Sequence, residues 1–158
     1  RLRFQGTAAQ TLTGALCSAT HLSSLRRLDL SDVDMATAGA CALAHALRDG
    51  THLSSIAHIN VAGNRCSAAG ATALAHALRG RYTSLTSLNI ACNRMGDEGM
   101  KDIAEMLQGQ DQAQDQQLDQ HGPGGQVQAV HPAAALMALN VSRNNVGESG
   151  ARALAAAA

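Results

Sequence analysis

Two histidines recur inside a repeated phrase, and they are the first residues to weigh for chemistry. Leu43-Ala44-His45-Ala46-Leu47-Arg48 returns letter for letter as Leu74-Ala75-His76-Ala77-Leu78-Arg79. Imidazole can bind metal or move a proton. Cys41 precedes His45 at i,i+4 spacing, which puts a thiol and an imidazole on one helical face. Two ligands fall short of a zinc site, which takes about four. If each phrase is a helix, its neighbour lies roughly 8–10 Å away. That is too far for His45 and His76 to share an ion at about 2 Å per ligand. The four cysteines contain no C-x-x-C. No H-E-x-x-H, nucleophile elbow or phosphate-binding Gly-rich loop occurs. The reading therefore names no catalytic, cofactor-binding or metal-binding residue and expects no enzyme.

The echo says more about the elements than about the histidines. Thr20-His21-Leu22-Ser23-Ser24-Leu25 also returns, as Thr51-His52-Leu53-Ser54-Ser55-Ile56, and both echoes are 31 positions apart. A fixed period of that size signals stacked units. Aligning the short apolar segments gives Leu25-x-x-Leu28-x-Leu30, Ile56-x-x-Ile59-x-Val61, Leu85-x-x-Leu88-x-Ile90 and Leu136-x-x-Leu139-x-Val141. Their period of two predicts short strands, at about 25–32, 56–63, 85–92 and 136–143. Three residues beyond each segment stand Val33, Asn64, Asn93 and Asn144. Asparagine there can satisfy turn backbone and stack from unit to unit, so Asn64, Asn93 and Asn144 are expected to form a ladder that Val33 interrupts. Helices are expected at about 7–18, 38–49, 68–79, 97–108 and 148–158, where apolar spacing changes to 3.6. Met100, Ile103, Ala104 and Leu107 make one such stripe, with Lys101 and Glu105 as an outer i,i+4 pair.

The run Leu85-Thr86-Ser87-Leu88-Asn89-Ile90-Ala91-Cys92-Asn93-Arg94-Met95-Gly96-Asp97-Glu98-Gly99 resembles the leucine-rich repeat family in its ribonuclease-inhibitor-like class. The tail from Asn144 to Ala155 resembles it nearly as well. Ran GTPase-activating proteins and NOD-like receptor repeats look similar. The resemblance implies an α/β solenoid, with a parallel sheet on a concave face and helices on the convex back. It makes residues 1–158 a single domain in units of about 1–24, 25–55, 56–84, 85–135 and 136–158. The first and last units are partial, and the segment is expected to be a piece of a longer array.

The resemblance also implies where function lies. Such repeats mostly bind proteins, so a protein partner is expected on the concave face and its rim. The face would carry Arg27, Asp29, His58, Asn60, Asn89 and Asn140. On the rim, Arg65 and Arg94 hold equivalent positions in neighbouring units, with Arg143 close by in the next. Strands about 4.8 Å apart would let Arg65 and Arg94 reach one carboxylate on a partner. A solvated rim is the simpler alternative. The family leaves two other roles open: regulation of a small GTPase, and a structural part of a large assembly such as a ciliary or flagellar complex.

Composition narrows the partner. Formal net charge is zero, which gives no general pull toward nucleic acid or membrane. Phe4 and Tyr82 are the only aromatics, so base stacking has little to work with. No cofactor is expected. Unpaired thiols point to a reducing, cytoplasmic setting. The spacing of equivalent leucines runs 31, 29, then 51, and the excess falls at 109–132. That stretch is Gln-rich and acidic (Asp111, Asp115, Asp119), with no Lys or Arg, and is expected to be a disordered insertion.

Overall fold

The computed structural model describes residues 11, 15–16, 23–50, 53–79, 84–115 and 136–157. Four strands, β1 (Arg27–Asp29), β2 (His58–Asn60), β3 (Ser87–Asn89) and β4 (Ala138–Asn140), form one sheet in the order β1-β2-β3-β4. All three pairings are parallel, and Leu28, Ile59, Leu88 and Leu139 stand in one register. The strands alternate with α1 (Ala36–Asp49), α2 (Ser67–Leu78), α3 (Gly96–Asp115) and α4 (Glu148–Ala156). The α/β solenoid expected from the sequence is the fold observed. Of the expected helix at 7–18, Thr11, Ala15 and Leu16 are described and helical, and the rest lies outside the described residues.

The strands are three residues long, shorter than the eight-residue segments expected. The parallel hydrogen bonding nevertheless runs further. Leu30 N–H donates to Asn60 C=O at 2.8 Å, and Asp32 N–H to Ala62 C=O at 2.8 Å. Alternate residues then enter the left-handed region: Asp32, Asp34 and Ala36 in one unit, Cys92, Arg94 and Gly96 two units on. That kink ends strand geometry and turns the chain toward the helix.

The core lies between sheet and helices. Leu28, Ile59 and Leu88 meet Leu43, Leu74 and Ile103 there, with Met35, Cys66 and Met95 beneath the turns. Met106, which the expected stripe omitted, is 1% exposed, whereas Leu107 is only half-buried. Helices approach closely at Gly70 and Gly99: a Cβ on either would stand 2.9 Å from the Cβ of Ala40 or Ala71 on the preceding helix. Any larger residue would push the stack apart.

Two local expectations differ from the structure. α3 continues to Asp115, seven residues past the expected end at 108 and into the stretch read as disordered. Its Gln, Ala and Asp residues continue the helix because no proline follows until Pro123. Residues 116–135 lie outside the described residues. The Lys101–Glu105 pair does not form; the ion pairs among the described residues are Arg48–Asp49, Arg65–Asp34 and Arg152–Glu148. Lys placed before Glu is the weaker i,i+4 order, whereas Glu148 before Arg152 is the favourable one.

Candidate docking face and rim

Buried asparagines hold the rim in place. Asn64 is 0% exposed, Asn93 0% and Asn144 2%. Asn93 Oδ1 accepts the N–H groups of Asn64 (2.9 Å) and Cys66 (3.2 Å), both in the preceding unit. Its Nδ2 donates to Val61 C=O (2.9 Å), Ile90 C=O (3.0 Å) and Ala91 C=O (3.1 Å). Asn144 repeats the pattern on Asn93 and Met95. The backbone carbonyls of Asn64, Asn93 and Asn144 also accept the first helical N–H of the unit before, at Ala36, Ser67 and Gly96. Helix starts are thus finished by the neighbouring unit, and none of the caps at Met35, Cys66 or Gly147 uses its own side chain.

The direction of this ladder shows on which side Val33 interrupts it. Asn64 Oδ1 accepts Val33 N–H at 3.2 Å and Met35 N–H at 3.1 Å. The turn that carries valine is therefore fully served. What Val33 cannot do is serve the unit before it.

Between the buried positions, the left-handed residues point outward. Besides Ala36, Ser67 and Gly96 at the helix starts, they form two columns: Asp32, Gly63, Cys92 and Arg143, then Asp34, Arg65, Arg94 and Asn145. Arg65, Arg94 and Arg143 are all exposed. Arg65 and Arg94 share a column as expected, while Arg143 belongs to the other. Arg65 is already engaged, by the Asp34 carboxylate one unit earlier in its own column. Sequence reasoning passed over Asp34, although an acid one unit before Arg65 in the same column was there to read. Arg94 and Arg143 make no ion pair or hydrogen bond among the described residues.

The open face of the sheet carries two rows. One is Arg27, His58, Ser87 and Ala138; the other is Asp29, Asn60, Asn89 and Asn140. Arg27, Asp29, Ala138 and Asn140 are exposed, and His58, Asn60, Ser87 and Asn89 half-buried. Every member of the second row turns an oxygen back on the chain. Asp29 accepts Ser31 N–H at 3.0 Å, Asn60 accepts Ala62 N–H at 3.2 Å, Asn89 accepts Ala91 N–H at 3.2 Å, and Asn140 accepts Ser142 N–H at 3.1 Å. Asn60 Nδ2 also donates to Asp29 at 3.1 Å. The Ser31 N–H and hydroxyl, and then the Asn60 amide, hold the Asp29 carboxyl below the ordinary range.

The helical side shows what the repeated phrase does. His45 and His76 are exposed, and Arg48 lies 2.9 Å from His45 Nδ1. His76, Arg79, Asp102 and Glu105 line a shallow groove between α2 and α3. Asp102 is bonded there by the Thr72 hydroxyl. Among the described residues no three His, Cys, Asp or Glu side chains are grouped so as to hold a metal ion. No helix among them is long and apolar enough to cross a membrane.

The model of the Leucine Rich repeat family matches residues 83–104 and 136–155, the units that carry Arg94 and Arg143. These two segments are similar to leucine-rich repeats. The other two strands continue the same register, so the architecture is a leucine-rich repeat solenoid. No curated protein matches the chain. Leucine-rich repeats generally mediate protein–protein interaction.

Proposed function

We propose that the chain is a non-catalytic docking segment whose protein partner lies along the concave sheet face and against the Arg65–Arg94–Arg143 rim. The observation that carries this reading is the unbroken register of the two outward rows. Four units contribute one residue each to either row, all polar but Ala138, while Leu28, Ile59 and Leu88 are turned under into the core. A stack in which each unit adds one position presents an extended surface suited to a chain segment or domain edge. The ribonuclease-inhibitor-like class belongs to the same proposal, supported by the α-helix after each strand and by spacings of 31 and 29 residues between units. A reducing compartment is supported by the free thiols of Cys41, Cys66 and Cys92.

The test is positional. A photo-crosslinking residue replaces His58, Ser87 or Ala138 on the sheet, or His45 or His76 on the helices, in cells of the native source. Adducts with one protein from the sheet positions, and not from the helical ones, support the reading. Adducts from the helical positions alone would sink it.

A further inference from the structure

We infer that the partner segment is carboxylate-rich and seats on the β3–β4 half of the face, against Arg94, Arg143 and the side-chain amides of Asn89 and Asn140. This rests on the docking reading above and narrows it to one half of the surface and one chemistry.

The two halves differ in what they leave unpaired. Across β1 and β2, an acid of the first unit meets a donor of the second in both columns. Asn60 donates to Asp29, and Arg65 to Asp34. Across β3 and β4 the acids are gone: Asn89 stands in the Asp29 row and Arg94 in the Asp34 column. The oxygens of Asn89 and Asn140 are occupied by the backbone N–H of Ala91 and Ser142. With each oxygen already accepting one bond, these two amides chiefly offer a partner N–H, and guanidinium offers nothing else. This half presents donors and two positive charges with no acid in either row or either column to answer them.

The two arginines also stand beside bonded neighbours in adjacent units. Arg94 follows Asn93, Arg143 precedes Asn144, and Asn93 N–H is bonded to Asn144 Oδ1 at 2.9 Å. They flank one rung of the ladder, in the turns that follow the neighbouring strands β3 and β4. Both are fixed in the left-handed region, at φ 56° and 55°. The acids nearby do not compensate them. Asp97 accepts Gly147 N–H at 2.6 Å, Glu148 is bonded to Arg152, and Glu98, in the first turn of α3, pairs with neither rim arginine. Guanidinium and carboxylate match as paired donors and acceptors. Two cations with no aromatic neighbour among the described residues suit an acidic peptide better than a nucleic acid strand, which wants a basic track and stacking surfaces.

The test uses a fluorescein-labelled Glu-Gly repeat peptide at low ionic strength, with a Gln-Gly peptide as neutral control. The intact chain should bind the first and not the second. Arg94→Glu/Arg143→Glu should weaken binding about tenfold or more. Arg94→Gln/Arg143→Gln should also weaken it, in case charge reversal disturbs the fold. Arg48→Glu/Arg79→Glu, the same charge change on the helices, should leave it intact. Equal binding of the neutral peptide, or full binding by both rim variants, would overturn the inference. So would sedimentation showing that this face is closed by a second copy of the chain. With the crosslinked native partner, loss of affinity in the rim variants supports the inference. A partner held on the sheet with its affinity unchanged in those variants would remove this inference alone, and a partner held on the helices would remove both.

Discussion

Asn93 accepts the backbone N–H of Asn64 on its side-chain oxygen at 2.9 Å, so its oxygen completes the turn of the unit before. Deleting it strands two buried N–H groups, of Asn64 and Cys66, and takes one of two donors from each of three carbonyls. Asn93→Ala should therefore cost at least about 3 kcal/mol in urea unfolding. Asn93→Asp keeps the acceptor but turns a charge toward three carbonyl oxygens, and should be no milder. A loss near zero would refute the ladder as a stabilising device.

The Asp34–Arg65 pair is a surface contact, with side chains 32% and 57% exposed. Asp34→Asn should lower stability by less than about 1 kcal/mol, and less still in high salt. The same change frees a third rim guanidinium beside Arg94. Calorimetric titration with the Glu-Gly peptide should then show tighter binding than the parent.

Ala36 sits at φ 53°, where a Cβ is disfavoured. The equivalent Gly96 has φ 64° and open space around it. Ala36→Gly relieves backbone strain while losing no buried contact, offset in part by the greater freedom glycine has when unfolded. The net should be a gain of up to about 1 kcal/mol, read as a rise in the melting temperature.

The thiols should separate by reactivity. Cys92 is exposed, while burial pushes the Cys66 thiol up to about 12. A thiol reagent at neutral pH should modify Cys92 promptly and Cys66 only when the chain opens. The folded Cys66 value lies above the unfolded one of about 8.5. Its contribution to stability is thus complete below that pH and is lost progressively toward 12, so stability should decline on the alkaline side.

Asp29 gives the opposite limb. Its folded pKa is lowered, chiefly by Ser31 and then by Asn60. The stability it adds is present above the ordinary carboxylate value and is lost as pH falls through the folded one. NMR titration should place its midpoint below about 3.9. Asn60→Ala should move that midpoint upward; an unmoved midpoint would show that the Asn60 bond contributes nothing.

The register was legible from the sequence because it is written in periodic apolar residues. Leu28, Ile59, Leu88 and Leu139 align as their spacing predicts, and so do the outward rows beside them. Helix identity was legible for the same reason, while the α3 end at Asp115 was not, because Gln and Asp carry little signal of a helix end. The pairing state of the rim was only half legible. Column membership follows from counting, whereas which arginine is engaged depends on what stands one unit away.

What the amino-acid sequence determined by itself is the repeat, the parallel sheet with helices behind it, and the identity of the buried asparagines. Each follows from local periodicity or from one residue type in one recurring position. The tertiary structure alone decided the direction of the ladder and the split between a self-paired β1–β2 half and an unanswered β3–β4 half. The reason is physical. The hydrogen bonds of Asn93 with the unit before it and the contact between Arg65 and Asp34 join residues 27 to 32 positions apart, and only stacking brings such partners within reach.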